Sequence, residues 1–490
     1  MQTVTLGRTG ITVNKNGFGA LPIQRVSADY AGMLLRKAYN AGITYFDTAR
    51  SYSDSEEKMG LALSDVRENI IIATKTPSTT AEGFWQDLET SLRLLKTDYI
   101  DVYQFHNPAF CPKPGDGTGL YEAMEEAKKQ GKIRFIGITN HRLGVAEEAA
   151  ASGKVEYVAM CRQNIADPDC VNKALHGRED DICPCIRCNT CISRSHFYMK
   201  SPRCAANPRY NRGMDYNYMP PITKKKKVAV IGGGPAGIEA ARVAAQRGHD
   251  VTLFEKSDLL GGVFRGAAAA PFKDDLKRYL SYVIRKAHEQ ENLTIRMCTE
   301  ATPELLDAEG FDAAIIAIGN IPFFPKWLTC KDEGRVVLVN DVDSGAAQVG
   351  NNIVIVGAGI TGLETAYRFV QLGRKVTVVD MLPRDQIAQT NAPINAYALF
   401  NLLENYDWDL RCETKLVDVT DDAVIVSHDG KEERLEADSV IIAMGGKANT
   451  DLIRSFEQTI PETYVVGDCN GELGNLWNSV TSAFDAAMVL

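Results

Sequence analysis

Two stretches of this 490-residue chain leave little freedom of fold. The first, "VAVIGGGPAGIEAARVAAQRGHDVTLFEK", starts at Val228, and the second, "NIVIVGAGITGLETAYRFVQLGRKVTVVD", at Asn352. Each reads as strand, glycine turn, helix, strand and terminal acid. In the first, Gly232, Gly234 and Gly237 form G-x-G-x-x-G, and Glu255 lies 18 residues past Gly237. In the second, Gly357, Gly359, Gly362 and Asp380 repeat that spacing. The glycines allow a tight turn and close approach of backbone to a pyrophosphate, which the helix N-terminus attracts. The acid is placed to accept hydrogen bonds from a ribose. One such motif is weak; two, each with every part in place, imply dinucleotide-binding folds in tandem.

The cysteines form the next constraint. "CPCIRCNTCISRSHFYMKSPRC", residues 183–204, holds five of the twelve. Cys185, Cys188, Cys191 and Cys204 make C-x2-C-x2-C-x12-C, and Cys183 falls outside the pattern as a non-ligand. Three close thiolates wrap one inorganic cluster while a distant fourth closes it, so a [4Fe–4S] cluster is expected. Zinc, usually held by two separated pairs, and disulfides are the alternatives. The start, "MQTVTLGRTG", lacks a signal-peptide pattern, and no apolar run nears 18 residues, so a cytoplasmic protein without membrane spans is expected. A net charge of -9 gives no reason to expect nucleic acid as partner.

From 1 to about 155, apolar runs such as "YFDTA", "NIIIATK", "YIDVYQFH" and "IRFIGIT" alternate with amphipathic stretches. This predicts βα units around a parallel sheet. About six strands are expected, near 16–20, 43–46, 70–75, 100–105, 134–139 and 156–161, where a closed (βα)8 barrel needs eight. "PPITKKKK", 220–227, reads as a linker.

Three resemblances follow from these motifs. Residues 228–490 resemble the two-domain flavin reductases of the disulfide-reductase type, through "DAAIIAIGN" (312–320), "ADSVIIAMGG" (437–446) and "TYVVGDCNG" (463–471). The resemblance implies FAD on the first fold, held by its glycines, Glu255, Gly262 and Asp468, and NAD(P) on the second. Asp380 would repel a 2′-phosphate, favouring NADH, while nearby Arg384 leaves NADPH possible. From about 156 onward, "VAMCRQNIADPDCVNKALHGREDDICPCIRCNTCISR" resembles the iron–sulfur branch of the old yellow enzyme family. That implies electron transfer between FAD and FMN through the cluster, with Arg162 on the FMN phosphate. Residues 1–155 instead resemble the aldo-keto reductases. "GITYFDTARSYSDSEEKMGLAL", "IIIATK" and "DYIDVYQFHN" would supply the tetrad Asp47, Tyr52, Lys75 and His106, with Tyr52 as proton donor.

The expected architecture is therefore α/β: an incomplete (βα) barrel-like domain, an iron–sulfur segment and a two-domain FAD/NAD(P) module. The expected spans are 1–182, 183–224, 225–335 with 456–490 for FAD, and 336–455 for NAD(P). The expected function is an NADH-dependent iron–sulfur flavoprotein oxidoreductase reducing a carbonyl or activated C=C of a small molecule. The alternatives are an electron donor to a protein partner, with an inert barrel, or an amine or alcohol dehydrogenase running in reverse. A homo-oligomer is possible.

Overall fold

The computed structural model describes residues 3–490 except 156, 214, 215, 217, 331, 333, 390, 391, 472 and 473. The chain divides into two compact units, Met1–Ala159 and Met160–Leu490.

In the first unit five strands form one parallel sheet in chain order: Phe18–Gly19, Tyr45–Asp47, Ile71–Thr76, Ile100–His106 and Ile133–Thr139. Crossover helices link them, as parallel pairing requires. Helix Ala81–Leu95 shows why. Thr80 caps it, its Oγ accepting from the Gly83 N–H at 3.2 Å. Phe84, Leu88, Leu92 and Leu95 recur at helical spacing and are buried. They share a core with Phe46, Met59 and Tyr103.

The sixth expected strand is absent. Residues 157–160 carry no ladder, Glu156 lies outside the described residues, and a short helix, Arg162–Ala166, follows. An N-terminal hairpin that the sequence did not announce pairs Thr3–Thr5 with Thr12–Asn14. Its Leu6, Ile11 and Val13 form a small core joined by Tyr45, Ile71, Phe135 and Tyr157. The Tyr157 hydroxyl lies 3.1 Å from that of Tyr45.

The second unit contains two parallel five-stranded sheets. The first has the order Leu293–Arg296, Asp250–Phe254, Lys227–Ile231, Ala313–Ile316, Thr463–Val465. The other has the order Val336–Leu338, Ser439–Ile442, Asn352–Val356, Lys375–Val379, Asp409–Arg411. Thr463–Val465 rejoins the first sheet only after the second is complete, so one dinucleotide fold is inserted into the other. The crossings meet where Ile321–Pro322 pairs with Gly446–Lys447. The cysteine segment is mostly irregular and packs on the first sheet's helix: Cys183, Ile186 and Ala205 share a core with Ile238, Ala241 and Ala245. No helix among the described residues is long and apolar enough to cross a membrane.

Candidate functional site

The glycines do two different jobs. A Cβ on Gly237 would lie 1.8 Å from the Gly232 carbonyl oxygen, and one on Gly362 would lie 2.0 Å from that of Gly357. Helix and turn therefore touch backbone to backbone. A Cβ on Gly234 or Gly359 would meet nothing within 4 Å. These two residues cap helices Pro235–Arg247 and Ile360–Gln371 and face the space in which free helix N–H groups attract an anion. The acids hold the turns. Glu255 accepts from the Gly233 N–H at 2.7 Å and from the Ser257 N–H and hydroxyl at 2.8 and 2.7 Å. Asp380 accepts from the Ala358 N–H at 2.6 Å and the Leu382 N–H at 2.9 Å.

Gly262, at φ +48°, sets the following loop against Gly234. Asp468 accepts from Asn320 Nδ2 at 3.1 Å and from the Gly474 N–H at 3.3 Å. On helix Leu476–Val489 the buried Trp477 Nε1 and Thr481 Oγ find no partner among the described residues. Such orphaned polar atoms beside an open glycine cradle fit a bound dinucleotide in the first fold. Arg384, the candidate for a 2′-phosphate, stacks on Phe400 at 3.6 Å from the ring centroid.

Cys185, Cys188, Cys191 and Cys204 line one cavity, together with Arg162 and Asn189. Gln163 shapes its rim, donating to the Cys183 carbonyl at 2.8 Å and accepting from the Cys185 N–H at 3.0 Å. Asp167 accepts from the Cys183 N–H at 2.9 Å. Burial pushes the Cys185 and Cys191 thiols up, and carries Cys204 to about 12. A metal bound here would supply the positive charge that holds such thiols as thiolates. Among the described residues no group of three or more His, Cys, Asp or Glu side chains is already drawn together around a metal position. Cys183 is buried, its Sγ 3.7 Å from the Ala206 carbonyl oxygen. Arg162 donates to Asn189 Oδ1 at 3.0 Å in the cavity wall.

The first unit brings the tetrad residues together at the C-terminal ends of its strands. Lys75 Nζ donates to Asp47 Oδ1 at 2.6 Å and to the Thr48 carbonyl at 2.5 Å. It stands 5.3 Å from the Tyr52 ring centroid. The Tyr52 ring meets His106 edge-on at 5.6 Å, and Ser51 Oγ lies 2.9 Å from His106 Nδ1. Burial pulls the Lys75 ammonium below its usual range, and Asp47 opposes that pull. Burial and the Lys75 charge hold His106 down at about 4, so its imidazole is neutral at pH 7. A neutral imidazole and a tyrosine facing an ammonium suit hydrogen bonding to, and protonation of, a carbonyl oxygen.

A family model described as pyridine nucleotide-disulphide oxidoreductase matches residues 226–487, more than half of the chain. The chain belongs to the pyridine nucleotide-disulphide oxidoreductase family. The members of this family bind FAD and a nicotinamide nucleotide. A second model, the aldo/keto reductase family, matches residues 15–166. The chain is 31% identical to a cinnamate reductase of Clostridium sporogenes over 79% of its own length and 57% of that protein's. It is 32% identical to an NADH oxidase of Thermoanaerobacter brockii over 76% of its length and 57% of the relative's. It is 29% identical to a multifunctional alkene reductase/demethylase OYE of Caballeronia cordobensis over 64% of its length and 46% of the relative's. The chain thus spans about half the length of the curated relatives it matches. A solved 2-naphthoyl-CoA reductase complex shares the fold, at TM-score 0.76 and 24% identity, covering 100% of this chain and 82% of that one. The expected resemblance of the C-terminal two-thirds to the iron–sulfur branch of the old yellow enzyme family is borne out.

In this disulphide-oxidoreductase chain, sequence reasoning missed the residues that hold others in place. Gln163 and Asp167 stand in the quoted "CRQNIADP", yet nothing in that string says that they grip the cysteine loop. Lys273 and Glu364, paired at 2.5 Å, join the loop before helix Asp274–His288 of the first fold to helix Ile360–Gln371 of the second. The two lie about 90 residues apart and carry no motif.

Proposed function

We propose that this protein is an NADH-dependent iron–sulfur flavoprotein oxidoreductase that reduces a carbonyl or activated C=C of a small organic substrate. FAD would lie on the Gly232–Gly237 cradle, NADH on the Gly357–Gly362 cradle and a [4Fe–4S] cluster on Cys185, Cys188, Cys191 and Cys204. Together these groups split a two-electron hydride donor into single-electron transfers. The observation that carries the reading is the placement of the four thiols around one cavity, in the same compact unit as both cradles. The spacing C-x2-C-x2-C-x12-C, three close thiols and a distant fourth, suits a polynuclear cluster better than one zinc ion, which is usually held by two separated pairs. Asp380 and the stacking of Arg384 on Phe400 support NADH over NADPH. The thiolate ligands suit a reducing cytoplasm.

The chain's own residues shape the chemistry of the first unit. Lys75, fixed by Asp47, faces Tyr52 and makes release of its proton easier; His106 orients the acceptor oxygen. Overall, NADH would give up two electrons and a proton, and the substrate would take up two electrons and two protons, one of them from Tyr52, which would be reprotonated from solvent. FMN fits this chain poorly. Arg162, expected on its phosphate, donates into the wall of the cysteine cavity, and among the described residues the sheet has five strands.

That same observation favours a second reading, in which the second unit supplies electrons to a protein partner and the first unit is inert. Anaerobic analysis of iron, sulfide, FAD and FMN per chain tests the first reading. Roughly four iron, four sulfide and one FAD are expected, and zinc or an iron-free protein would overturn it. Tyr52→Phe separates the two readings. Loss of 10²–10⁴-fold in substrate reduction, with NADH oxidation by an artificial acceptor unchanged, supports an active first unit. Full retention of every activity supports the second reading.

A further inference from the structure

The cysteine loop is tied to the nicotinamide fold by one side chain. Asn395 stands in the first turn of helix Pro393–Leu403, which packs on the second sheet. Its Nδ2 donates to the Cys188 carbonyl at 3.2 Å, and its Oδ1 accepts from Asn189 Nδ2 at 2.7 Å. One amide thus grips two consecutive residues of the loop that runs from Cys188 to Cys191. Asn189 is preset for this grip. Its backbone is left-handed, at φ +58°, a conformation that Asn tolerates. Its Oδ1 is taken by Arg162 Nη1 at 3.0 Å, which turns its Nδ2 toward Asn395. The far part of the same helix carries Phe400, under the Arg384 guanidinium. Arg384 itself follows Asp380 by four residues. A continuous series of contacts therefore runs from the cysteine cavity to the adenosine edge of the nicotinamide cradle.

We propose that Asn395 is a positioning residue that makes placement of the nicotinamide fold depend on an assembled cluster. The proposal rests on the reading of the cysteines as cluster ligands and of the second fold as the NADH site. Cluster assembly draws Cys188 and Cys191 to fixed places, and with them the Cys188 carbonyl and the Asn189 amide. Those two groups fix Asn395, and Asn395 fixes the start of its helix. Without the cluster the loop relaxes, both amide bonds are lost, and the fold that presents NADH is held less firmly. Two neutral hydrogen bonds bound the size of the effect at roughly 30-fold.

The test uses the full chain, anaerobically, with Asn395→Ala, Asn395→Asp and a cluster-free Cys191→Ser form. Two readouts are taken: hydrogen–deuterium exchange of helix Pro393–Leu403, and the stopped-flow rate of flavin bleaching by NADH. With Asn395 present, Cys191→Ser is expected to speed exchange in this helix and slow bleaching about tenfold. Asn395→Ala in the iron-replete protein is expected to show both changes already, with iron content unaltered, and adding Cys191→Ser to it should change neither further. Asn395→Asp, which keeps the acceptor for Asn189 but loses the donor to Cys188, should fall between. The proposal is overturned if iron-replete Asn395→Ala matches the parent in both readouts, or if Cys191→Ser acts equally with and without Asn395. It is also overturned if Asn395→Ala loses iron, since the residue would then only support the loop. A parent chain without iron or FAD defeats the functional reading instead, so the two failures are distinct.

Discussion

The two glycines that bracket the first helix N-terminus should respond to the same substitution in opposite ways. At Gly237 an added Cβ would lie 1.8 Å from the Gly232 carbonyl oxygen, where ordinary contact needs about 3.4 Å. Backbone must therefore move by roughly 1.6 Å, and neither side of the contact is a flexible side chain. Overpacking of this kind costs about 1–3 kcal/mol even in the FAD-free protein. At Gly234 the same methyl meets nothing within 4 Å, and the backbone, at φ -73° and ψ 178°, is one that any residue preceding proline adopts. Gly234→Ala should leave the FAD-free protein as stable as before or more so, by about 0.4–1 kcal/mol, since alanine restricts the unfolded chain. Its methyl, however, occupies the space in front of helix Pro235–Arg247. Holding a pyrophosphate off by one methyl forfeits about two charge-assisted hydrogen bonds at roughly 1.5–3 kcal/mol each, a loss of at least about 100-fold in FAD affinity. Thermal unfolding of FAD-free protein and fluorescence titration with FAD measure the two effects separately. The reasoning is refuted if Gly234→Ala binds FAD like the parent, or if it destabilises the FAD-free protein as much as Gly237→Ala does.

Asp47→Asn leaves the Lys75 ammonium in a buried site without its counter-charge. A loss of about 2 kcal/mol in urea unfolding is expected, less than for a fully buried pair because the Asp47 side chain is 34% exposed. His106 titrates at about 4 when folded, against about 6.5 when unfolded, so the unfolded chain binds more protons between those values. Stability of the first unit should therefore fall as pH drops from 6.5 toward 4 and be indifferent to His106 above 6.5, and His106→Gln should flatten that slope in acid unfolding. Cys191→Ser should abolish the visible absorbance of the cluster, whereas Cys183→Ser should retain iron, because Cys183 is buried away from the cavity against the Ala206 carbonyl.

How much of this was legible depended on whether a feature is local in sequence. The glycine cradles were readable because turn, helix and acid fall within one stretch of under 30 residues, and each part has its own residue type. The four cysteines that line one cavity were readable as a group for the same reason. The tetrad was legible only through its resemblance to the aldo-keto reductases, since Asp47, Lys75 and His106 are joined by strand pairing and not by spacing. The missing sixth strand was illegible. "VEYVAM" has the composition of a strand, yet its Tyr157 meets Tyr45 across 112 residues. Val158 is 72% exposed, which local hydrophobicity could not foretell. Asn395 was equally invisible, because an asparagine near a helix start reads as a cap, whereas its amide is spent on a loop 206 residues away.

The position of the truncation explains how the first unit keeps an acid site with five strands. Asp47 lies on Tyr45–Asp47, Lys75 on Ile71–Thr76 and His106 on Ile100–His106, and these are the three interior strands of the sheet. Each is hydrogen-bonded on both sides: Asp47 pairs with Ala73, Lys75 with Gln104 and His106 with Thr139. The edge strands carry none of the tetrad. The outer one, Ile133–Thr139, places Arg134 in an ion pair with buried Asp101, which Arg67 also engages from the other side. Charge on an edge strand discourages pairing with another chain. Ending the sheet after its fifth strand therefore leaves Asp47, Lys75 and His106 on strands that have a neighbour on each side. It removes the later strand ends from which a parallel barrel usually grips phosphate.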